Sequence, residues 1–205
     1  LTYCSGSDAR QSIIDTYGWV ITDEGRVTPG ADCPYVFTNA NIQTAVDLWV
    51  SDSSTATTTY GDISTWDVSQ VTDMSELFRD KTTFNDDISN WDVSNVNDME
   101  SMFESASSFN QPLNNWDTAS VTTMQSMFNN ATSFNQPLNN WDTSSVTNMQ
   151  AMFNNASVFN QSLNDWDTSN VVNMIKVFYE ASSFNGDISN WDTSNVSDMR
   201  SLFNG

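Results

Sequence analysis

The chain has 205 residues, with six basic and 26 acidic side chains, no histidine and a formal net charge of −20. This charge repels nucleic-acid phosphates and anionic lipid headgroups, so it argues against nucleic-acid binding. No run of about 18 apolar residues is present, so no direct membrane insertion is expected. Without histidine, histidine-dependent catalysis is excluded and the commonest transition-metal ligand is missing.

The first segment, residues 1–37, contains both cysteines of the chain, Cys4 and Cys33. Two cysteines that flank a small unit indicate a disulfide that stabilises it in an oxidising compartment; free thiols in a cytosolic protein are the alternative. The start of the chain lacks a signal-peptide pattern, and its end falls within a repeat. We therefore expect a mature chain or a piece of a longer protein.

The second segment, residues 38–59, is predicted to be a helical cap followed by a linker. Its apolar residues follow helical spacing and are Ile42, Ala45, Val46, Trp49 and Val50. Asn39 or Asn41 is the expected N-cap, and the polar stretch 51–59 is the expected linker. The helix is expected to cover the first unit of the array that follows, since that unit would otherwise expose its core.

Residues 60–205 form a repeat array with a period of 25 residues. Tryptophan followed by aspartate recurs at this interval, and the same interval relates columns of valine, methionine, phenylalanine and branched aliphatic residues. A coil of this length cannot bury its own apolar face, whereas stacked coils form one continuous core. The expected fold is an α/β solenoid of six coils with short parallel strands, short helices and an N-terminal helical cap.

Each coil is predicted to contain one short helix and one short strand. In the first coil, Val71, Met74 and Phe78 follow the spacing of one helical face, with Ser69 as the expected N-cap. The segment from Ile63 to Trp66 is long enough only for a short strand. Strands of successive coils are expected to pair in parallel, about 4.8 Å apart.

The aspartates that follow the tryptophans form a column, and we expect them to have a structural role. The aspartate column consists of Asp67, Asp92, Asp117, Asp142, Asp167 and Asp192. A carboxylate in this context accepts a backbone N–H two residues on, in an Asx turn. Calcium binding is the alternative, in which a pair such as Asp86 and Asp87 would bind the ion weakly. No EF-hand or calcium-binding nonapeptide pattern is present, so no metal or other cofactor is expected.

An asparagine column follows the second phenylalanine of each coil: Asn85, Asn110, Asn135, Asn160 and Asn185. Stacked amides hydrogen-bond from coil to coil, so we expect a structural ladder here too. The next position varies between coils and is predicted to face water. Its members are Asp86, Gln111, Gln136, Gln161 and Gly186. With Asp87, the acidic and glutamine members are the candidate ligand-binding residues.

The middle of the array is almost uncharged, in contrast to its flanks. Between Ser105 and Asn164, Asp117 and Asp142 are the only charged residues. Neutral amides and hydroxyls on a rigid scaffold suit sugars or peptide backbone, which are recognised through hydrogen bonds. A solvated face with no ligand is the alternative interpretation.

The repeat sequence from Phe134 to Phe153 resembles that of the BspA-type leucine-rich repeat surface proteins, and the likeness covers 60–205. The resemblance implies a leucine-rich-repeat-like stack in a secreted or cell-surface protein associated with adhesion. Residues 1–37 are similar to a segment that closes an array in marine Bacteroidetes relatives, which implies a junction to neighbouring domains of a larger surface protein. The array has alanine at 106, 131, 156 and 181, where the family often has cysteine.

The sequence therefore predicts an extracellular binding or adhesion module whose partner is a glycan or a protein on another cell or matrix. A structural spacer in a large surface fibre is the alternative. A carbohydrate-active enzyme is the third hypothesis, because Asp86 and Asp87 form an acid pair. Adjacent residues of one coil do not flank a substrate from two sides, so we expect no enzymatic activity.

Overall fold

The computed structural model describes residues 35–204, so the predicted Cys4–Cys33 disulfide lies outside the described residues. The elements, in chain order, are β1 (Val36–Thr38), α1 (Ile42–Ser51), α2 (Ser53–Tyr60), a 3-10 turn (Ile63–Thr65), β2 (Asp67–Gln70), β3 (Phe178–Tyr179) and β4 (Phe203–Asn204). In this part of the chain, no helix is both long and apolar enough to cross a membrane.

Helix α1 and strand β1 lie against the first coil. The apolar face of α1 is buried, and β1 pairs in parallel with β2. Asn41 occupies the N-cap position, but its side-chain oxygen accepts the amide of Thr38 (2.8 Å) instead of a helix amide. The side chain of Asn39 reaches the array, where it accepts the amides of Thr72 (2.9 Å) and Asp73 (3.3 Å).

The stretch predicted to be a linker, 51–59, mostly forms the second helix, α2. Its N-cap is Asp52, whose carboxylate accepts both the amide (3.0 Å) and the hydroxyl (2.6 Å) of Thr55. The threonines at 57, 58 and 59 donate their hydroxyls to carbonyls four residues back. The prediction of a linker was wrong because it rested only on the polarity of the segment and did not take into account that Asp52 caps a helix.

The array consists of coils that begin at the aliphatic column: coil 1 (63–87), coil 2 (88–112), coil 3 (113–137), coil 4 (138–162), coil 5 (163–187) and coil 6 (188–204). In the inner coils the tryptophan, valine, methionine and phenylalanine columns are buried. Parallel bridges join equivalent residues of neighbouring coils, from Asp73 with Asp98 to Asn173 with Asp198. In the last coil, Met199 and Phe203 are 43% and 55% exposed, because no described coil covers them.

The short helix expected at the Val71–Phe78 position of each coil is not formed in the described array. In coil 3, alternate amides donate to coil 4, as from Ser126 to Gln150 (2.8 Å) and from Phe128 to Met152 (2.9 Å). The amides between them close turns within the coil. Ser126 and the equivalent residue of each coil have a positive φ, near +55°. This backbone buries apolar residues at the same spacing as a helix would, while its amides donate hydrogen bonds to the neighbouring coil.

The inter-coil pairing also lies about ten residues beyond the segment predicted to be a strand. Ile63–Thr65 forms a 3-10 turn in coil 1, and no strand occurs at its counterparts in the described coils. The amides of Ser64 and Thr65 both bond to Asp62, the residue that directly precedes coil 1 (3.0 and 2.9 Å). Since these amides are used locally, they are not free to form a ladder.

Aromatic stacking fills the core of the array. Phe103 and Phe128 stack with ring centroids 5.6 Å apart, and Trp116 and Trp141 stack at 6.4 Å. From coil 2 to coil 6, the indole N–H of each tryptophan donates to the carbonyl of the aliphatic residue of the preceding coil, as from Trp141 to Leu113 (2.9 Å), whereas Trp66 of coil 1 donates to the carbonyl of Gly61. The tryptophan column is therefore buried without leaving an unsatisfied donor.

The hydrogen bonds between coils run in both directions along the stack. The amide of Met124 in coil 3 donates forward to Asn148 of coil 4 (3.0 Å). The amide of Thr147 in coil 4 donates back to Thr122 (2.9 Å), and the tryptophan indoles also donate back. Neighbouring coils are thus joined by opposed rows of donors.

Candidate functional site

Each member of the aspartate column accepts a hydrogen bond from the backbone amide two residues on, at 2.8–3.1 Å. At Asp92 and Asp142, the hydroxyl and the amide of the serine two residues on both stabilise the carboxylate and lower its pKa. These oxygens are used within their own coils. The arrangement is that of an Asx turn repeated once per coil.

The asparagine column links successive coils. The side-chain oxygen of Asn85 accepts the amide of Asn110 (2.8 Å), and that of Asn110 accepts the amide of Asn135 (2.9 Å). The same bond continues to Asn160 and Asn185. These side chains therefore replace a backbone ladder on this side of the coil.

The three candidate glutamines are also engaged between coils. Gln111, Gln136 and Gln161 donate their side-chain amides to the carbonyls of the asparagine column at 2.8, 3.0 and 3.1 Å. In coil 5 the position equivalent to these glutamines is Gly186, where an added Cβ would lie 2.1 Å from the carbonyl oxygen of Gln161. The donors of these glutamines thus serve the stack and are not free for a ligand.

Asp86 and Asp87, the other candidates, bond to different parts of the molecule. Asp86 accepts the indole N–H of Trp49 at 2.8 Å, which fixes α1 to coil 1. Asp87 accepts the amide of Ser89 at 2.9 Å, and this bond lowers the pKa of Asp87. Within residues 35–204, no group of three or more acidic side chains is placed to hold a metal ion.

A cleft of about 270 Å³ lies where α1 and α2 meet coil 1. Its walls include Trp49, Thr57 and Asp86. The one carboxylate in its lining is the one that binds the indole of Trp49. The cleft therefore lacks the two opposed carboxyl groups of a glycosidase.

A surface that sequence analysis did not single out lies along the inter-coil ladder. We call it the ladder face, and its side chains are those equivalent to 75, 76, 79 and 80 of coil 1. In coil 3 they are Gln125, Ser126, Asn129 and Asn130, and in coil 4 they are Gln150, Ala151, Asn154 and Asn155. The uncharged stretch of the array contains both sets. Because a short helix is predicted for this part of each coil, sequence analysis does not place these side chains on one common surface.

Contacts show that these columns adjoin one another. Arg79 lies within ion-pair distance of Glu76, Asp80 and Glu104, which belong to three of the columns. In coil 5, the ammonium group of Lys176 lies 4.9 Å from the centroid of the Tyr179 ring. Equivalent side chains of coils 3 and 4 therefore share one surface.

Polar side chains of the ladder face form chains of hydrogen bonds along the stack. Glu104 accepts from Asn129 (2.9 Å), whose oxygen accepts from Asn154 (3.0 Å). In a second chain, Glu100 accepts from the side-chain amide of Gln125 (2.9 Å). Each chain starts at a glutamate of coil 2 and continues through neutral amides.

The electrostatic character of the ladder face changes along the array. In coils 1 and 2 it is acidic, and burial, reinforced by Asp98, Glu76 and Glu104, raises the pKa of Glu100. In coils 3 and 4 it carries no charged side chain. Lys176 and Glu180 follow in coil 5. The neutral part is therefore bounded by charge at both ends.

Comparison with known proteins gives one family. The family model described as "Mycoplasma protein of unknown function, DUF285" matches residues 49–163 and 137–205. The chain has no significant match among curated proteins or among solved structures. The matched residues include the six coils and part of α1. The chain therefore belongs to the DUF285 family of repeat proteins.

Proposed function

We propose that this chain is a binding or adhesion module of a secreted or cell-surface protein, and that it presents its ladder face to a glycan or protein ligand. The observation that carries the proposal is the uncharged, amide-rich part of that face in a chain with a net charge of −20. Side-chain amides offer both donors and acceptors, and they attract no counterions. Such a surface favours a neutral, hydrogen-bonding partner.

The packing behind this face supports the proposal. Met124, Met127 and Phe128 lie directly behind the ladder face of coil 3 and are fully buried. Asn129 and Asn154 are held by one hydrogen bond, which the NH₂ group of Asn154 donates to the side-chain oxygen of Asn129. A surface whose side chains are already ordered loses little entropy on binding. The ladder face is thus suited to recognition without rearrangement.

We further propose that the stack is of the BspA-type, leucine-rich-repeat-like kind and that its location is extracellular. The support is the regular coil and the acidic charge, which suits a protein exposed to cations and repelled by nucleic acids. The proposal includes no cofactor and no enzymatic activity, since Asp86 and Asp87 bond to separate groups. Polysaccharide turnover that is lost on Asp87→Asn would contradict it.

The test is binding of the labelled chain to a panel of glycans and matrix proteins, with and without calcium. Ala151→Lys places a long charged side chain on the ladder face, at a column where coil 5 already has Lys176. This variant should lose binding. Val158→Lys is the matched control, since Val158 is exposed on the same coil outside the ladder face. Binding that survives Ala151→Lys would contradict the assignment of the site.

A structural spacer remains the second candidate, because Gln111, Gln136 and Gln161 bond within the stack. A spacer predicts no ligand in the panel. Deletion of coil 4 distinguishes the two functions, because it shortens a spacer by one unit but removes half of the neutral part of the ladder face. Substituting the three glutamines with alanine should lower stability and leave the ladder face intact.

A further inference from the structure

We infer that the ligand of the ladder face is an extended, neutral, β-linked polysaccharide that lies along the stack with one sugar opposite each coil. This inference rests on the proposed function and names its ligand class. It starts from the side-chain donors and acceptors of coils 3 and 4 that are not used in hydrogen bonds within the protein.

Four amide groups of the side chains on this part of the face have no hydrogen-bond partner among the described residues. Gln150 accepts from Asn173 through its side-chain oxygen, which leaves its NH₂ group free. Asn130 accepts from Asn155, which leaves the NH₂ group of Asn130 and the oxygen of Asn155 free. The oxygen of Asn154 is also free, since its NH₂ group donates to Asn129. The free groups are thus two donors and two acceptors, and all four side chains are half-buried.

A sugar hydroxyl both donates and accepts, so a polyhydroxylated ligand satisfies both kinds of group. Peptide backbone offers the same groups, but an extended peptide alternates them at an interval of two residues, about 6.6 Å. The coils are joined by parallel bridges, which place equivalent side chains about 4.8 Å apart. An extended chain of β-1,4-linked hexoses advances by nearly the same distance per sugar, so each sugar lies opposite the equivalent side chains of one coil, with its faces reversed from one sugar to the next.

The charge of the residues around the neutral part of the ladder face determines which class of polysaccharide can bind there. Glu100 and Glu104 adjoin the neutral part on one side, and the chain as a whole is strongly acidic. Uronic acids and sulfated sugars are therefore repelled. On the other side, Tyr179 lies in the column of Asn154, and it is half-buried beneath Lys176. The neutral strip thus extends over coils 3 and 4 and ends against an aromatic residue of coil 5.

The experiment is a calorimetric titration of the whole chain with β-1,4-linked glucose and mannose oligomers, from the disaccharide to the hexasaccharide. Affinity is expected to rise with length until the oligomer spans coils 3 to 5 and to change little beyond that. Equal affinity for the disaccharide and the hexasaccharide would refute the alignment of sugars with coils. Tighter binding of an acidic polymer such as polygalacturonate would refute the neutral ligand class.

Gln150→Glu tests the site directly. It keeps the oxygen that accepts from Asn173 and replaces the free NH₂ group with a charged acceptor, and coil 2 already has Glu100 at this column. Affinity for the hexasaccharide is expected to fall at least about tenfold, as for loss of one hydrogen bond with an added desolvated charge. Asn139→Asp adds the same charge to the same coil outside the ladder face and should leave affinity unchanged.

The outcomes separate this inference from the proposed function. Binding to a matrix protein that Ala151→Lys abolishes, without binding to any neutral oligomer, would overturn the polysaccharide and leave the adhesion module standing. No binding to any oligomer, glycan or protein would overturn both. Equal weakening by Gln150→Glu and Asn139→Asp would mean that net charge, and not the free amide, controls affinity, and would overturn the site.

Discussion

Trp141→Phe is the substitution that most directly tests what holds the coils together. Trp141 is 2% exposed, donates to the carbonyl of Leu113 and stacks against Trp116 and Trp166 at 6.4 and 6.3 Å. Phenylalanine removes the hydrogen bond, worth about 1 kcal/mol net, and apolar ring area worth about 1–2 kcal/mol. The free energy of unfolding is therefore expected to fall by about 2–3 kcal/mol.

The matched control is Trp191→Phe, the same change at the last coil. Trp191 makes the equivalent bond to Leu163 (2.9 Å), but it is only half-buried and has a described tryptophan neighbour, Trp166, on one side. Its substitution should cost about 1 kcal/mol. Urea denaturation followed by circular dichroism measures both values. Equal losses at the two positions, or a loss below about 1 kcal/mol at Trp141, would refute the argument that stacking between coils stabilises the array.

Three further changes test the electrostatics and the cap. Glu100→Gln is expected to raise the free energy of unfolding at pH 7, because burial and three nearby carboxylates disfavour the charged form of Glu100. This gain in stability should vanish below about pH 4, where Glu100 is protonated in both the folded and the unfolded state. Asp142→Asn is expected to lower stability at neutral pH, and the difference from the wild type should shrink as the pH falls through the lowered pKa of Asp142. Urea midpoints across this pH range measure both effects. Asp86→Ala is expected to speed amide hydrogen exchange in α1 about tenfold or more, since it removes the carboxylate that binds Trp49.

Two of these predictions have a control variant, and the third has an outcome that would contradict it. Glu76→Gln removes an exposed charge from the same acidic region as Glu100 and should change stability less. For Asp142→Asn, a difference that grows on acidification would contradict the assignment of its serine partner. Asp87→Ala removes the neighbouring carboxylate, which bonds to Ser89 at the start of coil 2, so α1 should exchange at the wild-type rate.

The buried side chains of this protein could be predicted from sequence better than its backbone. The 25-residue period identified Trp116, Met124 and Phe128 as core residues because stacking places identical residues over one another, and all three are buried. The backbone between them could not be predicted in the same way. Apolar spacing does not distinguish a helical turn from a segment with a positive φ at Ser126 whose amides serve the next coil.

The candidate binding residues show a related limit. The position of Gln111, Gln136 and Gln161 is a candidate because it varies between coils and is polar. A side-chain amide has two groups, however, and the structure uses the donor of each glutamine. The uncharged stretch of the sequence indicates the candidate binding surface better than these glutamines do, since it contains the amides of the ladder face. Which amides remain free depends on the register between coils, and a single coil sequence does not contain that register.

The opposed rows of hydrogen bonds between coils affect how such an array grows. In an α-helix every peptide dipole points the same way, so each added turn lengthens a macrodipole. Here the amide of Met124 points towards the next coil, while the amide of Thr147 and the indole of Trp141 point towards the preceding one. Dipoles of both directions therefore oppose each other at every junction. A gain or loss of whole 25-residue units can therefore change the reach of the protein without lengthening a macrodipole of the α-helical kind.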